Sequence, residues 1–376
     1  MSSLQREVLK KMLPPLPNPL SIDRSRAQKS RFSGLVPKRK TKEYSELSWK
    51  EFFDENRIVN IGENNFSVYL CGYTGPLLVL LHGGGHSALS WALFARHVCS
   101  ICECRIMAID LRGHGSTFTT DDLNLAAEVL AQDVANVVME FYKELPPIIL
   151  LGHSMGGAIA VHVAVKELIP LVGLAVIDVV EGTALDALSS MQSFLRSRPQ
   201  TFKSTDQAIE WSLRSGTLRN IESARVSVPG QIRRRNAFKV KAIKDNSLYN
   251  QAITELEEDV QCDDLQEEEE ETHVYEWRID LKKTEQYWKG WFENMSSLFL
   301  SCSAPKMLIL AGIDRLDTAL TIGQMQGKFQ MQVLAKCGHM VHEDVPDKVA
   351  EIIAGFLIRQ NLTTMKEFFP RHMPEC

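Results

Sequence analysis

A serine flanked by glycines gives the clearest chemical signal in the chain. Residues 152–156 read GHSMG, follow the apolar run 148–151 and lead into helix-compatible residues. A G-x-S-x-G motif between a strand and a helix is typical of a nucleophile elbow, a sharp turn that exposes the serine hydroxyl. The glycines allow neighbouring backbone to pass without meeting a Cβ. Ser154 is therefore predicted to be a catalytic nucleophile; the alternative is an ordinary loop serine.

A serine hydroxyl needs a base within hydrogen-bond reach. Among ten histidines, His339 is the strongest candidate because it follows the last predicted strand. The order serine, acid, histidine is that of α/β-hydrolases. His342 is expected to point away from the elbow on a helix. His82, His114 and His153 lie beside glycines at strand ends, and we expect them to shape loops by hydrogen bonds to backbone.

The acid that would orient the imidazole has two candidates. Asp178 ends the strand after the elbow unit, and Asp314 follows the next strand. Either carboxylate could hold the histidine tautomer and stabilise the imidazolium. Spacing favours Asp314, whose alternative roles are a salt bridge with Arg315 or a helix cap.

The tetrahedral intermediate of such a reaction needs backbone N–H donors for its oxyanion. Met155, the residue after the nucleophile, is predicted to supply one donor. The glycines after His82 are predicted to supply the other, at Gly84 or Gly85, because a side chain there would block close approach.

Apolar runs that alternate with helical patterns predict the elements that must position these groups. Strands are predicted at 57–61, 66–70, 77–81, 106–109, 148–151, 171–177, 307–311 and 329–334. Helices are predicted at 89–98, 125–142, 184–196, 204–215, 277–292 and 346–359. Such alternation implies a parallel sheet covered on both faces. We therefore predict an α/β-hydrolase fold with a mostly parallel eight-stranded sheet flanked by helices.

The predicted domain runs over residues 46–360, between tails at 1–45 and 361–376. Residues 1–45 are basic and proline-rich without apolar periodicity, which predicts disorder. Between 179 and 303 the alternation lapses, which predicts a helical cap insertion after the sixth strand, above the serine. Within the cap, residues from about 230 to 273 change from basic to acidic, which predicts a solvated, disordered loop.

Composition excludes several classes of protein. With 24% charged residues and a formal net charge of −5, the chain gives no reason to expect nucleic acid or an anionic membrane as a partner. It has no apolar run long enough to span a bilayer and no secretory signal. Cys99, Cys102 and Cys104 lack a second ligand pair, so buried thiols are favoured over a metal site. Reduced thiols favour cytoplasm or nucleus, and 37–40 (PKRK) is favoured as a solvated arm over a nuclear import signal.

Several longer stretches resemble the protein phosphatase methylesterases. They are 82–91 (HGGGHSALSW), 152–162 (GHSMGGAIAVH), 177–184 (IDVVEGTA), 321–334 (TIGQMQGKFQMQVL) and 337–339 (CGH). The resemblance covers about residues 45–360. It implies that Asp178, rather than Asp314, is the acid of a triad with Ser154 and His339.

The resemblance also implies a substrate. In that family it is the methyl ester on the C-terminal leucine of the protein phosphatase 2A catalytic subunit, and the products are a free carboxylate and methanol. The phosphatase and its holoenzyme would be the partners, and no metal or organic cofactor would be needed. Trp91, Trp277, Trp288 and Trp291 are candidates to bind the phosphatase tail, with packing inside the cap as the alternative for the last three.

Two other functions compete with this prediction. One is a small-molecule esterase or lipase on the same fold, for which a wide apolar cap surface would be expected. The other is a phosphatase-binding regulator without catalysis. An intact set of Ser154, Asp178 and His339 argues against the second.

Overall fold

The computed structural model describes residues 43–235, 274–312 and 316–366. The predicted N-terminal tail up to residue 42, most of the predicted acidic loop, Asp314 and the C-terminal ten residues lie outside these ranges. The predicted domain boundaries therefore stay predictions.

An eight-stranded sheet forms the centre of the fold, with strand order β1-β2-β4-β3-β5-β6-β10-β11. The strands along the chain are β1 (Glu55–Ile61), β2 (Asn64–Cys71), β3 (Leu77–Leu81), β4 (Arg105–Ile109), β5 (Ile148–His153), β6 (Leu171–Ile177), β7 (Thr201–Phe202), β8 (Ile232–Arg235), β9 (Val274–Trp277), β10 (Lys306–Leu310) and β11 (Gln330–Val333). β2 pairs antiparallel with β1 and β4, and the other pairs of this sheet are parallel. The predicted α/β-hydrolase fold is confirmed.

Helices cover both faces of the sheet. They are α1 (Ala92–Ile101), α2 (Ala127–Phe141), α3 (Met155–Val165), α4 (Glu181–Ser197), α5 (Thr205–Arg214), α6 (Ile221–Ser227), α7 (Glu285–Phe292), α8 (Met295–Ser301), α9 (Thr318–Met325), α10 (Val341–Asp344) and α11 (Pro346–Arg359). α2 and α3 pack into the core on one face, and α1 and α11 pack into the core on the other. Every residue of β3 and β5 is buried, as expected for parallel strands covered on both sides.

The cap is inserted between β6 and β10, after the sixth strand as predicted. It contains α4 to α8 and a three-stranded antiparallel sheet in the order β7-β9-β8. Two predictions within it are wrong. A helix is predicted over 277–292, but Trp277 is the last residue of strand β9 (Val274–Trp277). The α-helix in this stretch is restricted to α7 (Glu285–Phe292). Ile232–Arg235 is also a strand, although the disordered loop was predicted from about 230.

The register of the parallel strands brings the predicted site residues together. His153 in β5 is level with Ile177 in β6, and Ile177 is level with Ile309 in β10. Ser154 and Asp178 each follow directly, so both lie at the carboxyl edge of the sheet. In an open parallel sheet this edge is where ligands bind.

No helix in the described parts of the chain is both long and apolar enough to cross a membrane.

Candidate active site

Ser154 lies at the turn between β5 and α3, in a strained conformation. Its backbone has φ 52° and ψ −121°, and its amide donates to the carbonyl of Ile177 at 3.0 Å. A Cβ on Gly152 would lie 2.1 Å from the carbonyl oxygen of Gly156, and one on Gly156 would lie 2.3 Å from that of Leu81. The glycines are therefore required by close backbone approach, and the turn has the geometry of a nucleophile elbow.

Asp178 and His339 form a hydrogen-bonded pair at the same edge. His339 Nδ1 donates to Asp178 Oδ2 at 2.8 Å, and Asp178 Oδ1 accepts from the amide of Ala311 at 2.8 Å. The Asp178 side chain is fully buried, whereas that of His339 is 51% exposed. This hydrogen bond places the proton on Nδ1 and leaves the Nε2 lone pair available as a base. Asp314, the alternative acid, lies outside the described residues.

The loop that carries His339 is held by its backbone. His153 Nε2 donates to the carbonyl of His339 at 2.9 Å. The amide of Gly338 donates to Asp344 Oδ2 at 2.7 Å, and the other oxygen of this carboxylate accepts from the amide of Arg219 in the cap at 2.9 Å. The position of the candidate base is thus fixed by the sheet edge and by the cap together.

Ser154 and His339 line the same cleft. Within the described residues, no hydrogen bond joins Ser154 Oγ to His339 Nε2. Hydrogen bonds between nucleophile and base are often long or misaligned without substrate and tighten in the complex. The structure therefore brings the candidate acid and base into contact, and the candidate nucleophile lines the same cleft.

The predicted oxyanion donors lie next to the serine. Met155 is the first residue of α3, where backbone N–H groups and the helix dipole favour negative charge. A Cβ on Gly84 would lie 3.7 Å from Met155 Sδ, which places Gly84 beside the elbow. The amide of Gly85 donates instead to His114 Nε2 at 2.9 Å. This bond counts against Gly85, so Gly84 is the better candidate of the two glycines.

The other histidines at strand ends shape loops through backbone contacts, as predicted. His82 Nε2 accepts from the amide of Leu111 at 3.0 Å, and His114 Nδ1 lies 2.8 Å from the carbonyl oxygen of Arg112. Burial holds the pKa of His82 well below its usual value and lowers that of His114 to about 4. These rings are therefore neutral near pH 7.

His342 is buried away from the cleft. Its ring packs between Trp91, with ring centroids 4.2 Å apart, and His153, with ring centroids 4.6 Å apart. Burial holds its pKa well below the usual range, so the ring is neutral. It is not one of the residues that line the cleft, which agrees with the choice of His339 as base.

The cleft has a volume of about 680 Å³, a size typical of ligand sites. Its lining at the sheet edge, which we call the sheet wall, includes Gly84, Ser154, Met155, Asp178 and His339. Its lining from the cap, which we call the cap wall, includes Leu188, Met191, Phe194, Arg198, Trp277 and Trp291.

Only two of the four predicted tryptophans line this cleft. Trp277 and Trp291 lie in the cap wall, and Trp291 Nε1 donates to the carbonyl of Leu125 at 2.6 Å. Trp91 and Trp288 are buried in the two cores and do not line it. Their large apolar surfaces are used for packing, so the prediction that they bind substrate is wrong.

Sequence reasoning missed most of the cap wall. Leu188, Met191 and Phe194 of α4 make it strongly apolar, although no sequence pattern plainly predicts such a surface. The apolar residues spaced along 184–196 could have indicated an apolar lining of the cleft. The same spacing also fits a helix that packs on a core. Arg198 at the end of this helix was not singled out at all.

The cysteine cluster lies outside this site. Cys102 and Cys104 are buried as predicted, whereas Cys99 is partly exposed. Cys99 Sγ lies 3.5 Å from Cys71 Sγ and 3.8 Å from Cys104 Sγ. In the described part of the chain, no group of three or more His, Cys, Asp or Glu residues has the arrangement of a metal site.

Comparisons with known proteins agree with this fold. Residues 78–352 match the model of the alpha/beta hydrolase family. A solved structure of E-2-(acetamidomethylene)succinate hydrolase superposes with a TM-score of 0.61 at 17% identity, covering 81% of this chain and 99% of the other. The chain is therefore a member of the α/β-hydrolase family.

Curated relatives define its place within that family. Protein phosphatase methylesterase 1 of Bos taurus is 54% identical over 338 residues, which cover 86% of this chain and 89% of the relative. The Homo sapiens protein of the same name is 52% identical over 355 residues, which cover 91% and 92%. The chain belongs to the protein phosphatase methylesterase family and is a serine hydrolase of the carboxylesterase class.

Proposed function

We propose that this protein removes the methyl ester from the C-terminal leucine of the protein phosphatase 2A catalytic subunit. The products are the free carboxylate and methanol. The observation that carries the proposal is the elbow serine beside the Asp178–His339 pair, in a chain about half identical to proteins named phosphatase methylesterases.

Acylation begins at Ser154. His339 Nε2 takes the proton of the serine hydroxyl as Oγ attacks the ester carbonyl, and the negative charge develops on the carbonyl oxygen. The backbone amides of Met155 and Gly84 are proposed to donate to that oxygen. Asp178 keeps the Nδ1 proton in place and stabilises the imidazolium that forms, which its 2.8 Å bond to Nδ1 supports.

Collapse of the intermediate breaks the bond to the methoxy oxygen. His339 donates its Nε2 proton to this leaving group, so methanol departs and the leucine carbonyl stays bonded to Ser154. A water molecule then loses a proton to His339 and attacks the acyl carbon. The second intermediate expels Ser154 Oγ, which recovers its proton, and the free carboxylate leaves.

The cap wall is proposed to hold the end of the phosphatase tail. Leu188, Met191 and Phe194 present apolar surface in the same cleft as the candidate triad. A leucine side chain buried against such a surface gains about 1.5–3 kcal/mol. This binding would place the ester against Ser154, where correct orientation lowers the barrier.

The test is to incubate methylated phosphatase 2A with the protein and follow both methanol release and the mass of the C-terminal peptide. We expect loss of the methyl group with the wild-type protein and none with Ser154→Ala. An unchanged tail mass with an active wild-type preparation would overturn the proposal. Hydrolysis of small acyl esters alone would favour an esterase, and tight binding without demethylation would favour a regulator.

A further inference from the structure

One cation in the cap wall has no anionic partner in the described part of the chain. Arg198 follows the last residue of α4, lines the cleft and is only 8% exposed. Its guanidinium carbon lies 4.3 Å from the centre of the Trp277 ring. Trp277 Nε1 in turn donates to the carbonyl of Pro199 at 2.7 Å, so the residue after the arginine holds the ring beneath it.

Within the described residues, no ion pair or side-chain hydrogen bond reaches the Arg198 guanidinium. Asp280 acts on it electrostatically without forming an ion pair, and burial lowers the arginine pKa to about 10. The group is therefore still charged near pH 7. A buried charge without a partner is costly, and an arriving anion would recover part of that cost.

The other ionisable groups that line the cleft leave Arg198 as its positive centre. Burial lowers the pKa of His86 to about 3 and holds that of His153 well below its usual range, so both rings are neutral. Asp178 is fully buried and bonded to His339. Among the described lining residues, Arg198 is thus the only lysine or arginine.

We propose that Arg198 forms an anion-binding subsite for a carboxylate or phosphate carried by a residue upstream of the esterified C-terminus of the substrate. This inference rests on the proposed function, because it assumes a peptide chain in the cleft. The ester itself is neutral, so an acidic side chain or a phosphorylated residue of the tail supplies the anion.

The geometry of arginine suits this role. A planar guanidinium offers N–H donors in a fork that matches both carboxylate and phosphate, and stacking on an aromatic ring fixes that plane. Trp277 covers one face of the Arg198 group, which leaves the edge with its N–H donors for a ligand. No hydrogen bond or ion pair links Arg198 to Ser154 or His339 among the described residues, so its N–H donors are not used by those side chains.

The test compares kcat/KM on synthetic peptides that end in leucine methyl ester. Each position before the leucine carries in turn aspartate, asparagine, phosphoserine or serine, so the carboxylate and phosphate arms are read separately. At one position we expect an acidic peptide to exceed its neutral counterpart by about tenfold or more, as for a hydrogen bond to a charged group. In Arg198→Gln that ratio should fall to about one.

Arg196→Gln is the matched control, because it removes the same charge from an exposed position on the same helix. It should keep the preference for the acidic peptide. Labelling of Ser154 by a fluorophosphonate checks that each variant retains its elbow. If Arg198→Gln is unstable, Arg198→Lys serves instead and should lower the ratio while keeping part of it, since it retains charge but not the planar fork.

Two results would overturn the subsite. One is hydrolysis of neutral and acidic peptides at equal rates, or a preference that survives in Arg198→Gln. The other is that acidic peptides are not preferred, while the demethylated neutral peptide inhibits the wild-type protein strongly and Arg198→Gln abolishes this inhibition. That result would mean that Arg198 binds the carboxylate of the product. Failure to hydrolyse any peptide ester or methylated phosphatase would instead count against the proposed function.

Discussion

The two walls of the cleft differ in how their polar groups are used. On the sheet wall, both oxygens of Asp178 accept hydrogen bonds and the backbone of His339 is tied to His153. On the cap wall, Arg198 is buried against Trp277 with no anion paired to it among the described residues. The candidate acid and base are thus held in place within the protein, whereas the proposed recognition group depends on a ligand for its partner.

The helices behind the two walls differ in the same way. α3, which begins at the elbow, is buried from Met155 to Ala164. α4, which carries half of the six cap-wall residues, has 17 residues, of which only Leu195 is fully buried. Elements with few buried contacts open at lower free energy than core elements. We infer that the strained turns at Ser154 and Asp178, both at φ 52°, are held by the rigid side of the molecule.

Removal of the proposed nucleophile on the sheet wall should have the largest effect on turnover. Ser154→Ala should lower kcat by a factor on the order of 10⁶, as for serine removal from other triads. Because binding depends on other surfaces, affinity for the phosphatase should remain largely intact. Methanol release and a binding isotherm measure the two effects, and loss of both would contradict this division between the walls.

Asp178→Asn should have the next largest effect. Asparagine keeps the size of the side chain and tolerates positive φ, so folding should be preserved. The amide does not hold the same histidine tautomer, and a fall in kcat of about 10⁴-fold is expected. Asp206→Asn, at an exposed aspartate of α5 that does not line the cleft, is the control. Near-normal turnover in Asp178→Asn, with the fold intact by circular dichroism, would show that another residue is the acid.

The sequence predicts the sheet and two members of the triad because both depend on local signals. Apolar runs predict strands, and the glycines around Ser154 predict the elbow. The residues alone leave two candidates for the acid, because Asp178 and Asp314 each follow a strand that ends at the same edge of the sheet. To choose between them one must know which carboxylate the loop that carries His339 approaches. The path of that loop is not encoded in any local sequence pattern.

The errors of prediction arise from long-range contacts. Val274–Trp277 becomes a strand because β7 and β8, far earlier in the chain, pair with it. Gly85 is a poor oxyanion donor because His114, from another loop, accepts its N–H. From the sequence, an arginine at a helix end such as Arg198 is expected to be solvated and to interact with the helix dipole. Its burial in the structure follows from the position of Trp277.

Glu343 of α10 lies near the sheet wall but, unlike Asp178, its carboxyl group has no hydrogen-bond partner among the described residues. It gives a test in which stability depends on pH. The residue is fully buried, and His86 Nδ1 is 3.7 Å away. Burial raises the pKa of Glu343 to about 8, and burial lowers that of His86 to about 3. Near neutral pH the two groups are therefore a neutral pair rather than an ion pair.

The sign of the effect follows from the raised pKa. Below about pH 4.5, the usual pKa of the carboxyl, both folded and unfolded states hold the proton. Between there and about pH 8 the unfolded state alone releases it, so the wild-type protein loses stability as pH rises, on the order of 1 kcal/mol per pH unit. Glu343→Gln removes this loss and should gain stability relative to wild type as pH rises. Urea denaturation at several pH values, with exposed Glu140→Gln as control, measures it; a constant difference would contradict the raised pKa.

The smallest expected effect concerns the apolar part of the cap wall. Phe194 is 44% exposed on α4 and lines the cleft. Because nearly half of its surface is exposed in the free protein, Phe194→Ala should change the free energy of unfolding by only about 1 kcal/mol or less. It should raise KM for the methylated tail several-fold with a smaller change in kcat, since it removes binding shared by substrate and transition state. Met139→Ala, equally exposed but remote from the cleft, should leave both constants unchanged. A fall in kcat without a rise in KM would instead mean that the cap wall takes part in aligning the reacting groups, and the contrast between the two walls would no longer hold.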